Sequence, residues 1–197
     1  RAWLMPAIGK ILFVGLGGAG QRHLRIFREI LGAGTKYSAY RTQRTTPVLS
    51  SSFQVIGDTS VEDFYGLHVF ESIKDAFDDG PDFVVISTPT SLHFDVAKEA
   101  ADRGIAIFIE KPFSHTLNGF DMFSDVVRAN NVPFFVSYQR RFHSLIGKAK
   151  EVISGGVIGH PFNATFNVAS YVPEWHGYED FRQLYACRSE LGGGVLL

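Results

Sequence analysis

The residues that speak first to chemistry are Gly15-Leu16-Gly17-Gly18-Ala19-Gly20. In a G-x-G-x-x-G spacing, Gly15 permits a tight turn, Gly17 lets the backbone approach a pyrophosphate, and Gly20 lets a following helix pack close to a strand. A helix opening at Gly18 and Ala19 would aim free N–H groups and a positive dipole end at bound phosphates. Such a spacing alone is a weak signal, because glycine-rich turns are common, so its surroundings decide. A second chemical feature is Ala39-Tyr40-Arg41-Thr42-Gln43-Arg44. A site preferring NAD usually places a carboxylate here to bind ribose hydroxyls, and none is present. A guanidinium at Arg41 could instead pair with a 2′-phosphate, which favours NADP(H) and leaves NAD(H) possible; the alternative is that Arg41 and Arg44 are solvated loop residues.

The elements that must position these groups are legible as alternating strands and helices. Lys10–Val14 is a short apolar run ending at Gly15, as expected of a strand buried on both faces of a parallel sheet. Leu24, Phe27 and Leu31 then recur at helical spacing until Gly32 and Gly34. Residues 36–41 read as a second strand, 42–52 as a loop, and 53–70 as ambiguous apart from a strand at 68–70. Beyond Ser72 the order is a helix ending at Gly80-Pro81, a strand at 83–86, a helix over 92–103, a strand at 105–109, a helix over 117–129 and a strand at 133–137. This alternation predicts an α/β fold, a Rossmann-type doubly wound parallel sheet occupying residues 1–138.

The pattern changes near Gln139. A helix carrying Phe142, Leu145, Ile146, Ala149, Val152 and Ile153 ends at Gly155-Gly156, and then Phe162, Ala164, Phe166 and Val168 alternate with polar residues. Alternation of that kind predicts a half-buried strand over 161–171 and the start, in residues 139–197, of a second α/β domain with an open, mainly antiparallel sheet.

Bulk properties exclude several classes of partner. The formal net charge is −1 with no run of Lys or Arg, so no electrostatic footprint for a nucleic acid or an acidic membrane is visible. No apolar stretch reaches the length of about 20 residues that a membrane span requires. Cys187 is alone, which excludes an internal disulfide framework and makes the cytoplasm the default compartment. Among the seven histidines no metal-ligand spacing is apparent, and no metal is expected. Met5 could be a native start.

Three further motifs occur in order: Ser87-Thr88-Pro89-Thr90-Ser91-Leu92-His93, then Glu110-Lys111-Pro112, then Tyr138-Gln139-Arg140-Arg141-Phe142-His143, with Gly192-Gly193-Gly194 near the end. Together with the glycine loop they make the chain resemble the Gfo/Idh/MocA oxidoreductases from about residue 10 onward. The resemblance implies a Rossmann domain followed by an α/β domain that commonly forms homo-oligomers. It implies that Thr88, Pro89 and His93, with Thr90 in the same turn, line the cofactor, and that Glu110 and Lys111 face the same crevice. A carboxyl-terminal strand end is where doubly wound sheets bind ligands, and Thr90 or Ser91 could cap the next helix. Pro112 is expected to follow a cis bond.

Lys111 is the expected catalytic residue. A lysine desolvated beside a cofactor can exchange a proton with a substrate hydroxyl while hydride passes at the adjacent carbon. An ion pair with Glu110 is the structural alternative. Gln139 and Arg141 match family positions near the nicotinamide end. Trp175 and His176, within Pro173-Glu174-Trp175-His176-Gly177-Tyr178-Glu179, are substrate-binding candidates or ordinary inter-domain packing. The implied activity is hydride transfer between a nicotinamide and a sugar, amino-sugar or cyclitol carbon. An NAD-dependent glycosidase of the same family and a non-catalytic nucleotide sensor are the alternatives. In relatives an Asp and a His follow the glycine triplet, so the chain is expected to be truncated and its catalytic set to continue past Leu197.

Overall fold

The computed structural model describes residues 8–42 and 46–194. Six strands form one parallel sheet: β1 (Lys10–Val14), β2 (Lys36–Tyr40), β3 (His68–Phe70), β4 (Phe83–Ile86), β5 (Ala106–Ile109) and β6 (Phe134–Val136), in the spatial order β3-β2-β1-β4-β5-β6. The chain moves outward from β1 through β2 to β3, then returns to lay β4 on the other side of β1. The reversal opens a crevice beyond the carboxyl ends of β1 and β4, where ligands bind in folds of this kind. Six helices connect or follow the strands: α1 (Gly18–Leu31), α2 (Val61–Tyr65), α3 (Ile73–Asp78), α4 (His93–Asp102), α5 (Phe120–Ala129) and α6 (Ser144–Ser154). No helix among the described residues is long and apolar enough to cross a membrane.

The reason β1 is apolar throughout is visible in the core. Leu12 and Val14 point to one face, where they join Val84, Ile86, Ile107 and Ile109 beneath Ala97, Ala100, Ala101 and Phe123. Ile11 and Phe13 point to the other, against Leu24, Ala39 and Val85. With both faces covered, alternation has no use, and the strand reads as a continuous run. Short elements are set by local hydrogen bonds: the Ser60 hydroxyl accepts from the Asp63 N–H at 2.9 Å to start α2, and Ser72 does the same for Asp75 at 3.0 Å to start α3. Gly66, in the left-handed conformation at φ 58°, ends α2. The ambiguous stretch 53–70 therefore resolves into α2 and β3.

Residues after β6 differ from their pattern. The expected helix is a 3₁₀ turn at Gln139–Phe142 followed by α6, and α6 buries none of its residues. The expected strand over 161–171 does not form. No described strand lies alongside to pair with it, and Phe162, Phe166 and Val168 are 97%, 87% and 77% exposed. An unpaired segment has no ladder to hold it extended.

This contrast gives a stability prediction. Ile107→Ala should cost about 2–5 kcal/mol, as for large buried residues, whereas Phe162→Ala should stay within about 0.5 kcal/mol. Urea unfolding of the two variants checks it.

Candidate active site

Three strand ends build the crevice. After β1 the chain turns at Gly15, whose φ of 92° suits only glycine and whose N–H donates to the Tyr40 carbonyl at 3.0 Å. A Cβ on Gly15 would lie 2.9 Å from the Ser87 backbone. The Gly20 constraint is more severe: a Cβ there would lie 2.4 Å from the Gly15 carbonyl oxygen and 2.6 Å from the Ser87 hydroxyl. That hydroxyl donates to the Gly15 carbonyl at 2.8 Å and so ties the end of β4 to the loop after β1. At Gly17, by contrast, a Cβ would meet no atom of the described residues within 4 Å. The three glycines thus differ in their surroundings: Gly15 turns the chain, Gly17 has open space where a Cβ would stand, and Gly20 packs closely.

Gly17 caps α1 without any side-chain hydrogen bond, and the first turn holds no acidic residue. A helix N-terminus of this kind carries free N–H groups and a positive dipole end, the chemistry that suits an anion. Ala19 is half-buried in this turn, and Gly18 is approached from outside, with its absent Cβ lying 2.9 Å from the Phe53 ring and 3.0 Å from the Tyr178 hydroxyl. The His176 ring stacks with both, its centroid 6.1 Å from that of Phe53 and 5.2 Å from that of Tyr178, and its Nδ1 donates to the Glu179 carboxylate at 2.7 Å. His176 therefore lies beside the glycine loop. Trp175 is 44% exposed and its Nε1 donates to Ser170 at 2.5 Å.

At the end of β4, Thr88 and Thr90 both hold buried hydroxyl oxygens with no hydrogen-bond partner among the described residues, and Pro89 is half-buried between them. Neither Thr90 nor Ser91 caps α4. Residues 90–92 form a 3₁₀ turn, so the capping position falls to Leu92, whose side chain has no polar atom to offer. Gly192 packs on this turn; a Cβ there would lie 3.0 Å from the Ser91 nitrogen and 3.1 Å from Thr90.

His93 is almost wholly buried, with Nε2 2.8 Å from the Thr88 carbonyl oxygen and Nδ1 2.9 Å from the Pro112 carbonyl oxygen. The ring spans the ends of β4 and β5. A neutral imidazole donates to only one of two carbonyls, and protonation would serve both. Burial nonetheless outweighs the two carbonyls and holds the His93 pKa below its ordinary value.

The Lys111–Pro112 bond is cis, as expected. Lys111 itself is exposed and makes no ion pair among the described residues, so the alternative of a pair with Glu110 is not realised. The enclosure expected around Lys111 is also not supplied by the described residues. Glu110 instead accepts from His23 and Arg22 of α1 and from the Lys111 backbone N–H. Burial pushes the Glu110 carboxyl up, but the hydrogen bond and charge of His23, the Lys111 N–H and Arg22 together hold it below the usual carboxylate value.

Arg41 follows β2 but is not a solvated loop residue. It is buried, and its Nη1 lies 3.2 Å from Oε1 of Glu62 on α2. The companion Arg44 lies outside the described residues. Gln139 and Arg141 are exposed in the turn after β6. No group of His, Cys, Asp and Glu that could hold a metal ion occurs among the described residues. His23 and Phe53 lie outside every motif, and Ser87 and Tyr178 have no assigned role within theirs, because each acts through a contact between segments distant in the chain.

Residues 9–138 match an oxidoreductase family with an NAD-binding Rossmann fold, Gfo/Idh/MocA. Over 84 residues the chain is 40% identical to scyllo-inositol 2-dehydrogenase (NAD(+)) of Bacillus subtilis, covering 43% of this chain and 25% of that protein. It is 28% identical to D-xylose 1-dehydrogenase [NADP(+)] of Haloarcula marismortui over 66% of this chain and 38% of that protein. Among solved structures, the Bordetella pertussis WlbA dehydrogenase in complex with NADH and UDP-GlcNAcA superposes with a TM-score of 0.63 at 22% identity, over 78% of this chain and 41% of that one. The chain therefore spans well under half the length of these relatives.

The His93 environment predicts a pH dependence of stability. With the folded pKa below the ordinary 6.5, neutral His93 contributes stability that is complete above that value and lost as pH falls towards the folded pKa. Urea unfolding between about pH 7.5 and about pH 5.5 should show a loss that is smaller in His93→Gln. Equal losses in the two proteins would remove His93 as the cause.

Proposed function

The chain belongs to the Gfo/Idh/MocA oxidoreductase family, and from this premise we propose that its crevice binds NAD(P)(H) for hydride exchange with a hydroxyl-bearing carbon of a sugar, amino sugar or cyclitol. The observation that carries the reading is the uncapped N-terminus of α1 behind an open Gly17, with the unpartnered Thr88 hydroxyl across the same crevice. These are features a dinucleotide fits: the amides would take its pyrophosphate, and Thr88, Pro89, Thr90 and His93 would line its path towards Lys111. When bound, the nicotinamide supplies or accepts the hydride. Lys111, at its Nζ, would take or return the proton of the reacting hydroxyl. Gln139 and Arg141 would stand at the far side of the crevice. The inositol and xylose in the relatives' names support a polyhydroxylated substrate.

For the choice of cofactor we keep NADP(H), because no carboxylate follows β2 and Arg41 does. Glu62 already faces that guanidinium, so a 2′-phosphate would compete with it. Residues 139–197 would begin the substrate and oligomerisation domain, since Phe142, Leu145, Phe162 and Phe166 leave an apolar surface to be covered. The cytoplasm remains the proposed compartment.

Two measurements test the reading. Gly17→Ala should leave the unfolding midpoint nearly unchanged while weakening NADPH binding at least about ten-fold by titration calorimetry, since ten-fold corresponds to only about 1.4 kcal/mol of lost approach. Unchanged affinity would contradict the placement of the pyrophosphate. Lys111→Met should lower turnover by about 10²–10⁴-fold with little change in cofactor affinity, and a variant with native turnover would take Lys111 out of the mechanism. For the phosphate, Arg41→Ala should weaken NADPH more than NADH, and Glu62→Gln should strengthen NADPH; equal effects on both cofactors would sink the NADP(H) preference.

A further inference from the structure

One buried carboxylate joins the two halves of the crevice. Glu110 follows β5 directly, and its Oε1 lies 2.6 Å from Nε2 of His23 and 3.4 Å from Nη2 of Arg22, both on α1. Its other oxygen, Oε2, accepts the backbone N–H of Lys111 at 3.1 Å. The His23 and Glu110 side chains are 8% and 11% exposed, so neither can exchange its partner for water without leaving the interior. The carboxylate thus spends one oxygen on the helix that begins at the glycine loop and the other on the residue that carries the reactive amine.

The helix geometry makes this connection stiff. His23 lies three residues after Gly20, on the same face of α1, and a Cβ on Gly20 would lie 2.4 Å from the Gly15 carbonyl oxygen and 2.6 Å from the Ser87 hydroxyl, so only glycine lets the helix sit this close. The position of α1 over the sheet is therefore fixed one turn before His23. On the other side, Phe108 of β5 and Glu110 just past the strand's end are two residues apart, and both meet the His23 ring. The His23 ring meets Phe108 edge-on, with centroids 4.9 Å apart, and Glu110 through its Nε2. A ring held by an aromatic edge at one point and a short charged hydrogen bond at another has little freedom to turn.

We infer that His23 is a positioning residue for Lys111: it fixes the Glu110 carboxylate, which in turn fixes the Lys111 amide and so the direction in which its side chain leaves the strand end. The inference rests on the proposed role of Lys111. Arg22 is the weaker partner, being longer in its bond and one-third exposed. The backbone frame around this point is independently held, since the Glu110 N–H donates to the Ile86 carbonyl and the Ser137 N–H to the Ile109 carbonyl. What His23 adds is orientation at the one residue beyond the ladder.

A pair of substitutions separates position from structure. Glutamine can place an amide N–H near the position of imidazole Nε2, whereas asparagine, one methylene shorter, cannot reach it. Both are polar and similar in size. The direct readout is the Lys111 side-chain NMR signal in protein labelled at the lysine ε-carbon, identified with Lys111→Met and recorded without cofactor or substrate. His23→Asn should displace that signal, and His23→Gln should return it towards the native position; Arg22→Ala should leave it in place. In turnover, His23→Asn should lose up to about 10²-fold in kcat, the order expected when a reacting group is misplaced by about 1 Å. Its KM for the cofactor should change less than about two-fold, the glycine loop being intact. A Lys111 signal that is native in His23→Asn, or equally displaced in both His23 variants, overturns the inference. Absence of nicotinamide turnover in the native protein would instead overturn the functional reading, and the NMR comparison would still decide whether His23 orients Lys111.

Discussion

The contact between the Gly20 backbone and the Gly15 carbonyl is the constraint on which the rest of this molecule depends. With a Cβ at Gly20 the helix would have to move off the sheet, because the space is filled by a carbonyl oxygen at 2.4 Å and a hydroxyl at 2.6 Å. Held that close, α1 begins its uncapped first turn beside the loop after β1, and its next turn brings His23 against Glu110 at the end of β5. The absence of a methyl group at one position thus sets both the place of the uncapped start of α1 and the place of His23 against Glu110. The Ser87 hydroxyl completes the arrangement by bonding the same Gly15 carbonyl from β4.

The strand order turns this local contact into a site. Because β4 lies beside β1, the loops after these two neighbours diverge to opposite sides and leave a crevice between them. His93 then fastens the end of β4 to the end of β5 through two carbonyl oxygens, and Glu110 fastens the end of β5 to α1. The three loops at the crevice are therefore cross-tied by buried polar groups. Such groups are costly to leave unpaired, so they favour one arrangement of the loops over its alternatives.

Much of the sheet was legible in the sequence because both its faces are buried. Runs such as Ile11-Leu12-Phe13-Val14 and Phe83-Val84-Val85-Ile86 have no polar positions to confuse the reading, and the glycine loop lies between a clear strand and a clear helix. The segment 53–70 was not legible, since α2 and β3 are short and are set by the Ser60 cap and Gly66 rather than by periodicity. Residues 161–171 carry strand-like alternation but form no strand, because alternation states which faces differ and not whether a partner strand is present. In the site, the glycines and the Glu110-Lys111-Pro112 motif could be found from type and spacing, whereas the burial of Arg41 against Glu62 and the bond from His23 to Glu110 join residues 21 and 87 positions apart. No local pattern encodes such pairs.

The central claim is that a dinucleotide lies across the carboxyl ends of β1 and β4 with its phosphates at the start of α1. Backbone amide NMR of the uniformly nitrogen-labelled protein during titration with NADPH tests this most directly. Saturable shifts are expected to concentrate in residues 15–20 and 87–93, with residues 144–154 of α6 unmoved. Shifts confined to other surfaces, or no shifts at millimolar cofactor, would contradict it.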